Sequence, residues 1–488
     1  MAPLQAGSQL NLAYISCALV LVYIAGKAIY NVLLHPLRSF PGPLLWRMSP
    51  IPRSIMIMRG KLPFYMEDLH AEYGPVVRIS PNEMAFSSPE AWRDIYGHRH
   101  NGEPELPKYD GFYRTIDNVP RGIINSHREE HAMLRRQLAH GFSERSMQAQ
   151  EPIIGSYVDL LVQRLREHSN GGSTALNMRE WLNWITFDVI GDLGLGSSFG
   201  CLDKSDYHPW VKIVTSAVKQ TSFMLAMALA GFRPLVRLVL RIGRLSIKDN
   251  QALVQQKVSQ RIELGVTRPD FIEGLIKKKD EGVLDVQQIA ANAVTIMVAG
   301  SETTATLLTG VVYLLTTHAD KLQRLSSEVR SAFNNDDEIT LTSVGKLTYM
   351  LAVLNEALRH YPPVPTGLPR QVPKGGVQIS GKFIPEGTVV AVWQFAVNHD
   401  AHFWTERFLG DPRFKTDQLD AMQPFSVGPR NCIGRNLAYA EMRLILAKIV
   451  YNFDMRIDDA SRGWMENQRA YNLWHKPALN IYMKPTAR

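Results

Sequence analysis

One short stretch near the C-terminus limits this 488-residue chain more than any other feature. "FSVGPRNCIG", Phe425 to Gly434, crowds two glycines, a proline and an arginine around Cys432, one of only three cysteines in the chain. Written F-x-x-G-x-R-x-C-x-G, the pattern arises by chance on the order of once in ten thousand chains of this size. "RNLAYAEMRLILAKIV" follows at once and reads as a helix. The cysteine therefore stands at the positive end of a helix dipole, where a thiolate is favoured. Gly428 and Gly434 permit close backbone approach to something flat and large. With one cysteine and no neighbouring His or Cys, a zinc site is excluded.

A haem iron, by contrast, needs only one thiolate ligand. The other cysteines, Cys17 and Cys201, are too distant for a disulfide framework and read as small buried hydrophobes. Few cysteines and no Asn-x-Ser/Thr sequon point to a reducing compartment for the body. The net charge of +8 is scattered, and no zinc-finger, helix-turn-helix or aromatic-basic pattern accompanies it, so no nucleic-acid partner is expected.

No charged side chain precedes Lys27, and an apolar run extends from Leu10 to Leu34. Crossing a bilayer takes about 20 apolar residues, so residues 1–34 read as a membrane anchor in contact with lipid. A basic leader and a small-residue cleavage site are missing, against a secretory signal. Lys27, Arg38 and Arg47 follow the run, which puts the body on the cytosolic side. "HPLRSFPGP", residues 35–43, forms a proline-rich hinge, and 44–488 is the catalytic body.

Within the body, "PVVRISPNEMAF" reads as strands, and helices dominate from about Ser126. Expected helices include His127–His140, Pro152–His168, Ile185–Leu193 and Asp270–Lys279. The longest starts at Asp285, where "DVQQ" forms a capping box with Gln288. Strand-like pieces return over Val377–Val397. The class is mainly α with a minor β-sheet region (α+β).

That long helix carries "AGSETT", Ala299 to Thr304, a polar turn between apolar flanks. An interior glycine weakens a helix by about 1 kcal/mol relative to alanine, so Gly300 needs a reason, and a kink is one. "EALR" puts Glu356 and Arg359 on one helix face, directly before "YPPVP". "HAMLR", His131 to Arg135, and "TGLPR", ending at Arg370, add basic side chains.

The cysteine segment resembles the haem-binding loop of the cytochrome P450 superfamily. The other motifs match in the family's order from about Pro41 to the C-terminus. The resemblance implies a mostly helical domain with a small sheet and an N-terminal transmembrane helix. It also implies haem b (iron protoporphyrin IX), with Cys432 as the axial iron ligand, Phe425 beside the thiolate and Gly434 at the loop's end. Arg430, Arg135, His131 and Arg370 would serve the haem carboxylates. Gly300 would open a groove for O2, and Glu302 and Thr303 would relay protons. Glu356 and Arg359 would lock to a meander arginine, for which Arg407 in "WTERF" is the candidate. Between "NHDAHF" and "ERFLGDPRF" the chain is shorter than the family's pattern.

The implied activity is a monooxygenase reaction that inserts one atom of O2 into a hydrophobic substrate. No G-x-G-x-x-G or Walker loop occurs, so electrons come from a partner, a diflavin protein of the NADPH-cytochrome P450 reductase type. The wording around "YPPVPTGLPR" and the cysteine loop is similar to fungal secondary-metabolite enzymes, including trichothecene hydroxylases. The implied location is the endoplasmic reticulum membrane, single-pass, with the body in the cytosol. Substrate would touch Val119–Asn125, the long helix before Ala299, Val364–Leu368 and Asn472–Pro477. Ring coupling, desaturation or rearrangement is one alternative. A haem-deficient, non-catalytic homologue with a shortened meander is another.

Overall fold

The computed structural model describes residues 2–99, 105–114, 120–242, 255–265, 270–398 and 402–487; Val119 of the expected substrate wall lies outside them. Helix α1, Ala2–Leu33, leads the chain. Its segment Tyr14–Leu33 has a mean hydropathy of 1.7 and only 6% of it is buried, so nothing in the body covers its apolar surface. Turns occupy residues 34–40, as the prolines require.

The body is mainly helical, and four helices frame its centre. These are α3 (Arg128–Ala139), α5 (Met178–Leu195), α6 (Val286–Thr317) and α8 (Arg435–Asn452). Helix α2 (Pro89–Tyr96) precedes them, α4 (Glu144–His168) lies between α3 and α5, and α7 (Thr348–His360) between α6 and α8. The expected capping box forms: Asp285 accepts from the Gln288 amide at 2.7 Å and the Gln288 side chain accepts from the Asp285 amide at 3.0 Å. Helix α6 is also apolar and long enough to span a membrane, but 78% of it is buried in the body. It is a core helix, packed along α5.

Expected helix starts shift where a side chain caps earlier. Helix α4 begins at Glu144, because Ser143 accepts from the Ser146 amide, and Pro152 then sits inside it. In the segment expected to be helical from Asp270, the Asp270 carboxylate instead accepts the Ile272 and Glu273 amides, and the helix starts at Glu273.

Strands β1 (Val76–Ser80) and β2 (Glu83–Phe86) come from "PVVRISPNEMAF". With β4 (Arg370–Gln371) and β7 (Val389–Val392) they form one sheet, ordered β1-β2-β7-β4, in which only β2 and β7 run parallel. A second sheet joins β3 (Ala175–Asn177), β11 (Asn480–Pro485) and β8 (Phe453–Ile457). Two hairpins complete the β structure: β5 (Val377–Ile379) with β6 (Lys382–Ile384), and β9 (Arg469–Tyr471) with β10 (Leu473–His475). The largest apolar core gathers around α4 to α8, and smaller cores lie on the faces of the four-stranded sheet.

Candidate active site

The cysteine loop closes on itself before α8 begins. The Cys432 amide donates to the Phe425 carbonyl at 2.8 Å, which turns the loop back over its own start. Gly428 adopts φ +74°, and a Cβ there would lie 2.0 Å from the Tyr96 carbonyl oxygen. This glycine makes a close approach to the protein's own α2. Gly434 is different: a Cβ there would meet nothing nearer than Phe142, at 3.8 Å. Its side of the loop is open. The Phe425 ring sits 5.3 Å from that of Tyr439 and under Arg435.

Cys432 is exposed by its surface area, yet crowding by protein raises its pKa, against the opposing pull of the Gly434 amide, Arg135 and Arg435. A metal cation makes a thiolate outright when it binds sulfur.

Around the loop the chain gathers positive charge. Arg430 pairs with Glu105 at 2.8 Å and donates to the Ser126 carbonyl at 3.0 Å. Arg370, buried at the start of β4, lies over the Tyr96 ring and reaches the Tyr113 hydroxyl at 3.4 Å. Lys108, unnoticed in the sequence, joins them. Burial and then Arg370 and Arg430 push its ammonium well below the ordinary lysine range, and Glu105 opposes them. His131 is pushed down to about 3 by burial and by Arg430, Lys108, Arg135 and Arg370, so it serves as a neutral donor or acceptor and adds no charge. The Arg135 guanidinium grips Asn431, through both the carbonyl (2.7 Å) and the side chain, and so braces the residue before Cys432. A spacing of four puts His131 and Arg135 on one helix face, and the arginine's charge also acts on the histidine. Among the described residues, Arg430, Arg370 and Lys108 gather about one carboxylate, Glu105, and a ligand with two carboxylates, such as haem, fits that positive cluster.

The polar turn of α6 is interior, as its flanks imply. Glu302 is 9% exposed, Thr304 3% and Ser301 fully buried, while Thr303 is partly open. The Thr303 hydroxyl donates to the Ala299 carbonyl at 2.6 Å, the usual resting bond of a helical threonine. Helix α6 is assigned as one continuous helix through Gly300. A Cβ at this position would lie 2.7 Å from Ile190 Cδ1, so Gly300 lets α5 pack against α6.

Two further charged groups touch this turn, and the sequence reading missed both. Lys476, just past β10, has a side chain 3% exposed; its ammonium contacts Glu302 and donates to the Thr306 hydroxyl at 2.6 Å. Glu441 of α8 reaches Thr304 and is 1% exposed; burial pushes its carboxyl up to about 8. The available signal was a charge set among mostly apolar neighbours, as in "LWHKPAL" and "LAYAEMRLIL".

Glu356, fully buried, accepts two hydrogen bonds from Arg359, at 2.7 and 2.9 Å, and one from the Trp404 amide at 2.7 Å. Arg359 continues to the carbonyls of Asn398 and His402, each at 2.7 Å. Arg407 approaches Glu356 at 3.4 Å, pairs with Asp417 and lies over the Phe414 ring. The shortened segment therefore still brings its arginine to the pair. A separate small cavity is lined by Thr366, Gly367 and Asn472, from two of the expected substrate segments, together with Phe112, Leu225 and Trp393.

Comparison with known proteins matches residues 40–483 to the family model described as Cytochrome P450. The chain is 48% identical to "Cytochrome P450 monooxygenase tpeC" of Talaromyces stipitatus, over 97% of this chain and 95% of that protein. It is 44% identical to "Trichothecene C-15 hydroxylase" of Fusarium sporotrichioides, over 95% and 96%. Against "Averantin hydroxylase" of Dothistroma septosporum the identity is 41%, over 96% and 90%.

Proposed function

Because this chain belongs to the cytochrome P450 family of monooxygenases, we propose that it inserts one oxygen atom of O2 into a hydrophobic secondary metabolite. Relatives named as hydroxylases of a trichothecene and of averantin support an oxygenated terpenoid or polyketide substrate. The family implies a haem iron, and we take the group to be haem b with Cys432 as its thiolate ligand. When bound, that group supplies the iron centre at which O2 is activated.

The chain's own residues do the rest. Arg430, Arg370 and Lys108 would hold the carboxylates, while Arg135 keeps Asn431 and hence the cysteine in place. Thr303 would release its Ala299 bond and offer its Oγ1 proton toward the reacting oxygen, with Glu302 replenishing it. Glu356, Arg359 and Arg407 clamp the segment that leads into the loop. Electrons would arrive from NADPH through a diflavin reductase. The uncovered apolar surface of α1 supports a single-pass anchor in the endoplasmic reticulum membrane, with the body cytosolic.

The observation that carries this reading is the cluster of Arg430, from the cysteine loop, with Arg370 and Lys108 around Glu105. The reduced protein with carbon monoxide should give the absorption band of a thiolate-ligated haem. A haem-loaded protein without that band overturns the reading. Incubating microsomes with pathway intermediates, reductase and NADPH should yield products heavier by one oxygen. Products of unchanged or lower mass would favour coupling, rearrangement or desaturation instead.

A further inference from the structure

Lys476 is a lysine in a place where lysines are rarely tolerated. Its side chain is 3% exposed, and burying an ammonium costs several kcal/mol unless a partner charge offsets it. Glu302 supplies that charge. Thr306 fixes the geometry further: its hydroxyl accepts from Lys476 Nζ at 2.6 Å and lies 3.4 Å from Glu302 Oε1. The lysine is held from behind as well, because its own carbonyl accepts from Arg179 Nη1 at 2.9 Å.

The other titratable groups that feel Glu302 are Tyr207 and Tyr361. Burial pushes the first up to about 12 and the second well above the ordinary tyrosine value, so both stay neutral. Among the described residues, Lys476 is the cation in contact with this carboxylate.

We propose that Lys476 is a positioning residue for proton supply: it keeps the Glu302 carboxylate charged and turned along α6 toward Thr306. This rests on the reading that Glu302 and Thr303 deliver protons. Lys476 also belongs to the Asn472–Pro477 turn, one of the segments expected to touch substrate.

The test uses haem-loaded protein with reductase and NADPH, following the share of NADPH consumed that appears as hydrogen peroxide across the neutral pH range. Lys476→Met strands a buried carboxylate, which takes up a proton and then loses it as pH rises. Its peroxide share should be highest at low pH and fall as pH rises, by about tenfold over the titration, as the carboxylate regains the charge that the lysine holds in the parent. The parent, Lys476→Arg and the double variant Lys476→Met/Glu302→Gln should lack that limb. Thermal melting gives a second reading, in which adding Glu302→Gln restores stability lost in Lys476→Met. A flat profile in Lys476→Met overturns the proposal. The same limb in the double variant overturns it too, because the lysine would then act on another group. If Glu302→Gln alone leaves the peroxide share unchanged, the relay reading fails and takes the proposal with it. Failure confined to Lys476→Met leaves the relay standing.

Discussion

Arg407 Nε lies 3.4 Å from Glu356 Oε2, although the segment that carries Arg407 is shorter than the family's pattern. The fully buried Glu356 thereby sits between two arginines, Arg359 and Arg407, that are themselves almost buried. Removing the carboxylate leaves two cations with no shared counter-charge. Glu356→Ala should cost about 3–5 kcal/mol, read by urea unfolding and by loss of retained haem. Arg407→Ala should cost less, because Arg359 still satisfies both carboxylate oxygens.

The two loop glycines should respond differently. Gly428→Ala places a Cβ against the Tyr96 carbonyl and adds about 1–3 kcal/mol of backbone strain on top of the overlap. Spectroscopy should find the thiolate band weakened or absent. Gly434→Ala meets no protein atom closely, so the haem-free fold should keep its melting temperature. A loss of haem affinity in that variant would then report on contact with the cofactor.

Gly300 separates two explanations for one residue. If it serves packing, Gly300→Val should destabilise by about 1–3 kcal/mol through overpacking, and Ile190→Ala should recover part of that in the double variant. Chemical denaturation of the three variants checks it. No recovery from shortening Ile190 would argue that the glycine answers to something other than α5.

Glu441 predicts a slope of stability with pH. Burial raises its carboxyl from the ordinary 4.5 to about 8, so in that window the folded state holds a proton that the unfolded chain releases. Stability then falls as pH rises, by about 1.4 kcal/mol per pH unit from this group, and levels off above the window. Glu441→Gln should remove that slope while keeping the shape. Parallel urea titrations at acidic and mildly alkaline pH would reveal a slope unchanged by the substitution, which would discard this assignment.

What the sequence made legible were features written into neighbouring residues. The Asp285 capping box, the helix after Gly434 and the i, i+3 pair of Glu356 and Arg359 depend on local spacing alone. Lys476, Lys108 and Glu441 take their meaning from partners in remote segments, which no periodicity connects. The same limit applies to the glycines. A glycine announces that a side chain would collide, but Ile190 and the Tyr96 carbonyl, the groups it would strike, are known only once helices are packed.

The fit of Gly428 against Tyr96 also orders the assembly of the chain in time. Helix α2 meets three late segments: the loop itself, Leu368 through the Tyr96 hydroxyl at 2.9 Å, and Ala421 through the Trp92 indole at 2.8 Å. The last of these joins residues 329 positions apart. Contacts of such span form slowly, and during synthesis the early helix must wait for the ribosome to deliver its partners. The cysteine loop is therefore among the last parts of this protein to take shape, and on the proposed reading premature termination before Phe425 would remove the thiolate assigned to the iron.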